Sequence, residues 1–289
     1  MVRRIHYITY GDEKYKKQMD FAVLSARFLN QFESITAFGP DDIDIEFVKK
    51  NHSIMSSKRG GGYWLWKPYL VQKKLKNIKY GDYIVYSDAG LFFLKNINTI
   101  LDSIDSKKQD VIAFELPLIE KQWTKPDLFS IENARFSSLR NTNQIMASVF
   151  IIKKSNKSIA FVDDWLNLCC NESYISDSES CEKYDHFIDH RHDQSLFSLL
   201  YKSYGFSAFR DPTQLGQYPG GYSGLNNFNP SLGAVYNLEN GMLFKASNYS
   251  YNYGTVFYRC RDSHPLVAFL KFSVKRLLFS LGLYSGSVR

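Results

Sequence analysis

The chain is poor in cysteine and has no long hydrophobic run, and each shortage narrows what it can be. Its four cysteines, Cys169, Cys170, Cys181 and Cys260, form no Cys-x-x-Cys pair, so no disulfide framework is expected and free thiols in a reducing compartment fit. Charges interrupt every apolar stretch before it reaches the length of a membrane span. Met1-Val2-Arg3-Arg4 runs straight into a strand-like segment rather than a signal-peptide core, so a cytoplasmic location is expected. Gly60-Gly61-Gly62 is not followed by Gly-Lys-Ser/Thr, and no Gly-x-Gly-x-x-Gly follows the first strand-like segment. A P-loop is thereby excluded, and a nicotinamide-type dinucleotide site is not expected. The net charge is +7, yet no basic run with interleaved aromatics and no zinc-finger or RNA-recognition signature occurs. Nucleic acid is not an expected partner; anionic lipid and phosphorylated substrates remain.

What is present starts with aromatics, 20 Tyr and 22 Phe in 289 residues, which serve both cores and sugar-binding platforms. The most informative stretch is Gly81-Asp82-Tyr83-Ile84-Val85-Tyr86-Ser87-Asp88-Ala89-Gly90. It reads as a turn followed by a buried strand that delivers Asp88 to its carboxyl end, where open α/β sheets bind ligands. The small Ala89 and Gly90 leave room for a diphosphate and a metal ion to approach the backbone. Just upstream, Gly60-Gly61-Gly62-Tyr63-Trp64-Leu65-Trp66-Lys67-Pro68 leads into a helix starting near Trp66 or Lys67, with Pro68 in its first turn. A cation at a helix start is disfavoured unless an anion sits nearby, so Lys67 is a candidate phosphate-site residue; the plain alternative is a solvated surface lysine.

The rest of the chain alternates short strands with helices. Strands are expected at 4–10, 34–38, 110–115 and 145–152, and helices at 13–30, after Pro40, and at 157–169. In the first helix Phe21, Leu24, Phe28 and Leu29 share the expected buried side. This alternation argues for one α/β domain with a mostly parallel central sheet, covering residues 1–263 and ending in an irregular, glycine-rich lobe. In the remaining segment, 264–289, leucines and valines share a helical stripe with Lys271 and Lys275 off it. That pattern fits either an interfacial helix on an anionic inner leaflet, with Arg276 adding charge, or a helix docked on the domain.

A second constellation is His190-Arg191-His192-Asp193-Gln194-Ser195, which opens another helix. A carboxylate beside a carboxamide at a helix start can hydrogen-bond the adjacent hydroxyls of a sugar, although a lone Asp there is commonly a cap. Cys181, His186, His190 and His192 also cluster in sequence, but their order matches no usual zinc spacing.

Taken in order, Tyr63-Trp64-Leu65-Trp66-Lys67-Pro68-Tyr69, Ser87-Asp88-Ala89-Gly90 and His190-Arg191-His192-Asp193-Gln194-Ser195 resemble bacterial GT-A-type glycosyltransferases of surface-polysaccharide (O-antigen or capsule) synthesis. More distantly, the layout is similar to the glycogenin and lipopolysaccharide galactosyltransferase group. The resemblance spans about residues 3–209 and implies a GT-A-like single Rossmann-type domain. It implies transfer of a hexose or N-acetylhexosamine from a nucleotide diphosphate sugar, UDP-linked by expectation, to a saccharide or lipid-linked acceptor. The implied cofactor is a divalent metal, Mn²⁺ with Mg²⁺ as the alternative.

The same resemblance assigns Thr9, Tyr10 and Gly11 to the base, and Lys67, Asp88, Gly90, Gln144 and Ser148 to the rest of the donor. Asp193 becomes the base or sugar anchor, and Gln194 lies beside the anomeric carbon. Asp88-Ala89-Gly90 lacks the second carboxylate of Asp-x-Asp, and the closing His-x-x-Gly-x-x-Lys-Pro-Trp motif is absent. A further metal ligand would have to come from elsewhere, His264 or His192, with His264 favoured. Tyr218, Tyr222 and Phe228 are candidate acceptor platforms. Three other classes compete. A glycoside hydrolase would pair Glu115 with Asp163 or Asp193, a carbohydrate-binding assembly protein would use the aromatics alone, and a nucleotidyltransferase would share the metal and diphosphate.

Overall fold

The computed structural model describes residues 3–104, 109–130, 134–178, 187–217, 220–223, 228, 230–247, 253–260 and 264–283. The strands are β1 (Ile5–Tyr10), β2 (Ser34–Phe38), β3 (Tyr83–Ser87), β4 (Leu91–Phe93), β5 (Val111–Ile119), β6 (Asn143–Lys153), β7 (Phe209–Arg210), β8 (Val235–Asn237), β9 (Leu243–Lys245) and β10 (Phe257–Arg259). The longer helices are α1 (Lys16–Phe28), α2 (Trp66–Lys76), α3 (Asn98–Ile104), α4 (Asn156–Cys169), α5 (Asp193–Ser203) and α6 (Pro265–Ser280).

Eight strands form one sheet in the order β2-β1-β3-β6-β5-β9-β8, with β7 also on β5. β1 runs parallel to both β2 and β3, β6 is antiparallel to β3 and β5, and β9 is antiparallel to β5 and β8. With β7 parallel to β5, only β6 and β9 are reversed. The α/β class with a mostly parallel sheet is therefore the one observed. Central strands read as continuous apolar runs because both faces are covered: Ile84, Val85 and Tyr86 are all buried. Leu70, Trp165 and Phe197 fill one core and Ala26, Ile100 and Phe257 the other.

Two expectations are corrected. α1 does not bury Leu24 and Phe28, which are 59% and 87% exposed. It seats Ala22 and Ala26 instead, whose small side chains let the helix backbone come close to its neighbours. The glycine-rich C-terminal part is also less irregular than its composition suggests. The β8–β9 hairpin extends the main sheet through Leu118 opposite Phe244, and β10 pairs with β4.

α6 docks through Ala268 and Phe272, in a small cluster with Phe92 and Tyr258. Leu266, Leu270, Val274 and Leu277 remain exposed on it, and Leu281 just beyond its end. Among the described residues, no helix is long and apolar enough to cross a membrane.

Candidate functional site

Asp88 follows β3 directly, at its C-terminal end, and its backbone N–H donates to the Ser148 carbonyl on β6 (2.9 Å). A tight turn, Leu91 N–H to Asp88 carbonyl at 3.0 Å, carries the chain into β4. Lys67 enters from the first turn of α2. Its ammonium lies 2.8 Å from Asp193 Oδ2 and 3.4 Å from Asp88 Oδ1, and donates to the Ala147 carbonyl at 3.3 Å. Segments far apart in sequence thus converge on one point at the mouth of the sheet.

Lys67 is not a solvated lysine; it faces two carboxylates. Its side chain is 4% exposed, and its three N–H groups match the three acceptors around it. It clamps the two carboxylates together. Burial disfavours the ammonium, but Asp193 and Asp88 outweigh that and raise its pKa above the ordinary 10.5. Asp193, 5% exposed, has its pKa raised to about 6; burial is the main cause, Asp88 adds to it and Lys67 opposes it. With Lys67 protonated and both carboxylates ionised the cluster carries one net negative charge. Asp88 is the open member, 38% exposed, and its Oδ1 also accepts from the Tyr86 hydroxyl at 2.7 Å.

The approach to Lys67 is built from strained backbone. Gly60, Gly61, Gly62, Tyr63 and Trp64 all have positive φ, from 51° to 93°, making a left-handed turn that glycine tolerates and Tyr63 and Trp64 do not favour. A Cβ on Gly62 would come within 2.9 Å of the Met55 backbone. His192, the residue before α5, also has positive φ (47°) and offers no side-chain cap. Its ring lies against Tyr63 and Trp64. Asp193 is therefore not the cap; it is the first residue of the helix proper, where the dipole favours an anion. Strain concentrated at the two helix starts that supply Lys67 and Asp193 is the pattern expected where backbone is held for function.

The other expected donor residues are held by contacts within the protein. Thr9 is fully buried. Tyr10, half-buried, stacks on Trp66 with centroids 3.8 Å apart, and Gly11 donates its N–H to the Phe38 carbonyl. The Gly90 carbonyl accepts from Cys260 N–H at 2.7 Å. Gln144 is buried completely, and its Oε1 accepts from Gln194 Nε2 at 3.0 Å.

His190 is bonded at both ring nitrogens and His192 at one. His190 accepts from the Lys125 N–H through Nδ1 and therefore donates Nε2–H to the Tyr174 carbonyl, while His192 Nδ1 bonds the Ile175 carbonyl. Burial lowers the pKa of both rings. Cys181, His186 and Tyr218 lie outside the described residues. Tyr222 bonds Asp211, and Phe228 packs edge-on against Tyr236 and Phe244. Asp163 accepts from Gln72 and Glu115 from Asn143; neither is among the groups acting on Asp193.

Among the described residues no three His, Cys, Asp or Glu side chains converge as a metal cage, and His264 is exposed just before α6. The donor set fits a divalent cation only in the form that Mg²⁺-type ions favour, one protein carboxylate completed by water and substrate phosphates. Asp88, the open member of the cluster, is the carboxylate that would serve.

Sequence reasoning missed the most buried charge nearby. Glu120, 0% exposed, follows β5 and accepts from Lys202 Nζ at 2.6 Å. The signal was available in the spacing of Gln194, Ser198 and Lys202, polar residues one helical turn apart on a helix whose Leu196, Phe197, Leu199 and Leu200 are buried.

No protein-family model matches the chain, and no curated protein matches it. Solved structures with which it aligns include mouse xyloside xylosyltransferase 1, at 11% identity over 91% of this chain and 99% of that one, TM-score 0.49. An active-site mutant of LgtC aligns at 12% identity over 89% and 88% of the two chains, TM-score 0.45. The glycosyltransferase GlyE of Streptococcus pneumoniae aligns at 14% over 77% and 50%, TM-score 0.39.

Proposed function

We propose that the chain is a GT-A-type glycosyltransferase that moves a hexose or N-acetylhexosamine from a nucleotide diphosphate sugar, UDP-linked, to a saccharide or lipid-linked acceptor in bacterial surface-polysaccharide synthesis. The observation that carries this reading is the Lys67 clamp. It holds an open carboxylate, Asp88, beside a buried one, Asp193, at the C-terminal mouth of the sheet.

Breaking a sugar–diphosphate bond puts charge on the departing diphosphate. A divalent cation, Mn²⁺ by preference, held at Asp88 would neutralise that charge when bound. The chain's own groups do the rest. Lys67 fixes the spacing of the carboxylates, Asp193 accepts the hydrogen of a sugar hydroxyl, and the Gln194 carboxamide stands beside the reacting carbon. A carboxyl whose pKa sits near 6 is suited to taking such a proton near neutrality. A hydrolase pairing of Glu115 with Asp163 or Asp193 is less favoured, since Asn143 donates to Glu115 and Gln72 to Asp163.

The test is incubation of the purified protein with a panel of nucleotide sugars and Mn²⁺, following donor consumption. Asp88→Ala should lower turnover by about a hundredfold or more, the scale of a lost electrostatic stabiliser. Full activity in a folded Asp88→Ala protein would overturn the assignment, and activity unchanged by EDTA would remove the metal alone.

The acceptor side of the reading includes an anionic membrane surface on the cytosolic face. α6 exposes Leu266, Leu270, Val274 and Leu277, and the adjacent α1 exposes Leu24 and Phe28. With Lys271 and Lys275 on α6, each basic residue near an anionic bilayer adds about 1 kcal/mol. Flotation with phosphatidylserine vesicles should be salt-sensitive and should fall in Leu270→Asp/Leu277→Asp protein. Unchanged flotation in that variant would leave α6 as a purely structural helix.

A further inference from the structure

A seam of buried polar groups runs between α5 and the β5–β6 strands, and it ends at Gln194. Glu120 accepts from Lys202 Nζ (2.6 Å), from the Ser198 hydroxyl, from the Thr124 hydroxyl (2.5 Å) and from Gln144 Nε2 (3.3 Å). Gln144 Nε2 also donates to the Trp123 carbonyl at 3.2 Å. The other end of the same carboxamide, Oε1, accepts from Gln194 Nε2 at 3.0 Å. Gln194 Oε1 in turn accepts from Ala147 N–H at 3.4 Å, and the carbonyl of that same residue receives Lys67.

The polarity of this series is forced from its buried end. An ionised carboxylate can only accept, so Gln144 must turn its NH₂ towards Glu120 and its oxygen away. Gln194 must then turn its own NH₂ inward, which leaves its oxygen beside the Lys67–Asp193 cluster. A buried, fully partnered charge is costly to maintain, and such networks over-determine the orientation of the groups they hold. We infer that Glu120 is a positioning residue that acts through Gln144 to fix which end of the Gln194 carboxamide faces the reaction site. The inference rests on the transferase reading above for the chemistry, though not for the orientation itself.

Glu120→Gln removes the enforced polarity, because a carboxamide can donate as well as accept, and it keeps the volume. Gln144→Met cuts the series one link later while leaving the Glu120–Lys202 pair. In either variant kcat should fall by about tenfold to a hundredfold, the range a misplaced group costs, with KM for the nucleotide sugar little changed. In a Gln194→Ala background neither substitution should lower kcat further, as expected for residues in one series.

The side-chain amide signals of Gln194 in ¹⁵N spectra give a reading that needs no turnover. They should shift in both variants, and the shift would stand even if the wild-type protein consumed no nucleotide sugar, an outcome that overturns only the transferase reading. Equal kcat losses in the wild-type and Gln194→Ala backgrounds would overturn the inference. Unmoved Gln194 signals in Glu120→Gln would overturn it too, and would hand the orientation to the Trp123 carbonyl.

Discussion

Asp193→Asn should lower turnover by about 10²- to 10⁴-fold, the contribution typical of a general base, and should leave the fold intact. The amide is nearly isosteric and its oxygen can still face Lys67, which keeps Asp88 as a counter-charge, while burying the ionised carboxylate carries a cost. That cost has a sign. The folded pKa of Asp193, about 6, lies above its ordinary 3.8, so the protonated carboxyl favours the folded state. Its contribution is complete below about pH 4 and is lost as pH rises through about 6. Activity should run the opposite way and climb through the same interval as the carboxylate forms. The rising limb should be absent in Asp193→Asn. A wild-type profile flat between pH 5 and 7, or wild-type turnover in the folded variant, would take Asp193 out of the chemistry.

The second large effect is expected at Lys67. Lys67→Met leaves Asp193 buried without its cation, and breaking a buried pair this way costs about 3–5 kcal/mol. At about 2–4 °C per kcal/mol for a chain of this size, Tm should fall by several degrees to more than ten. Asp88 adds little, because it is 38% exposed and screened by solvent. The loss should be greatest above pH 7 and should shrink below about pH 6, where Asp193 can take up a proton in place of its lost partner. In the wild-type protein the raised Lys67 pKa means that its support persists through neutrality and is lost only above its ordinary 10.5. A melting temperature in Lys67→Met equal to wild type at pH 8 would show that the clamp does not hold the site.

The parts of this molecule that were legible in sequence are those governed by local rules. β2 falls at Ser34–Phe38 and α2 begins at Trp66, because a turn residue or an early proline marks each start. Asp88, Lys67 and Asp193 could be picked out as chemistry-bearing residues by where they stand relative to a strand end or a helix start. Their relation to one another could not. That Lys67 faces carboxylates depends on α5 packing beside β6, which no local pattern encodes. The face of α1 was misread because large apolar residues outnumber its two alanines, while close packing selected the alanines. Glu120 was invisible for the complementary reason. A lone Glu beside Lys121 in sequence reads as a surface charge, and only the arrival of Lys202 from α5 makes its burial tolerable.

The left-handed turn from Gly60 to Trp64 also sets an order of events in folding. Tyr63 and Trp64 each pay about 1–2 kcal/mol to enter that conformation, so the turn cannot form from its own residues. What holds it arrives late along the chain: Arg59 is anchored by Asp177 and Asp189, 118 and 130 positions on, and His192 supplies the ring against Tyr63 and Trp64. Contacts of such separation close only after much of the intervening chain has been ordered. During synthesis β1, β2 and β3 are therefore available to pair well before Lys67 meets its carboxylates. Those three strands precede the reactive cluster, which cannot close until Asp193 and its helix have been made.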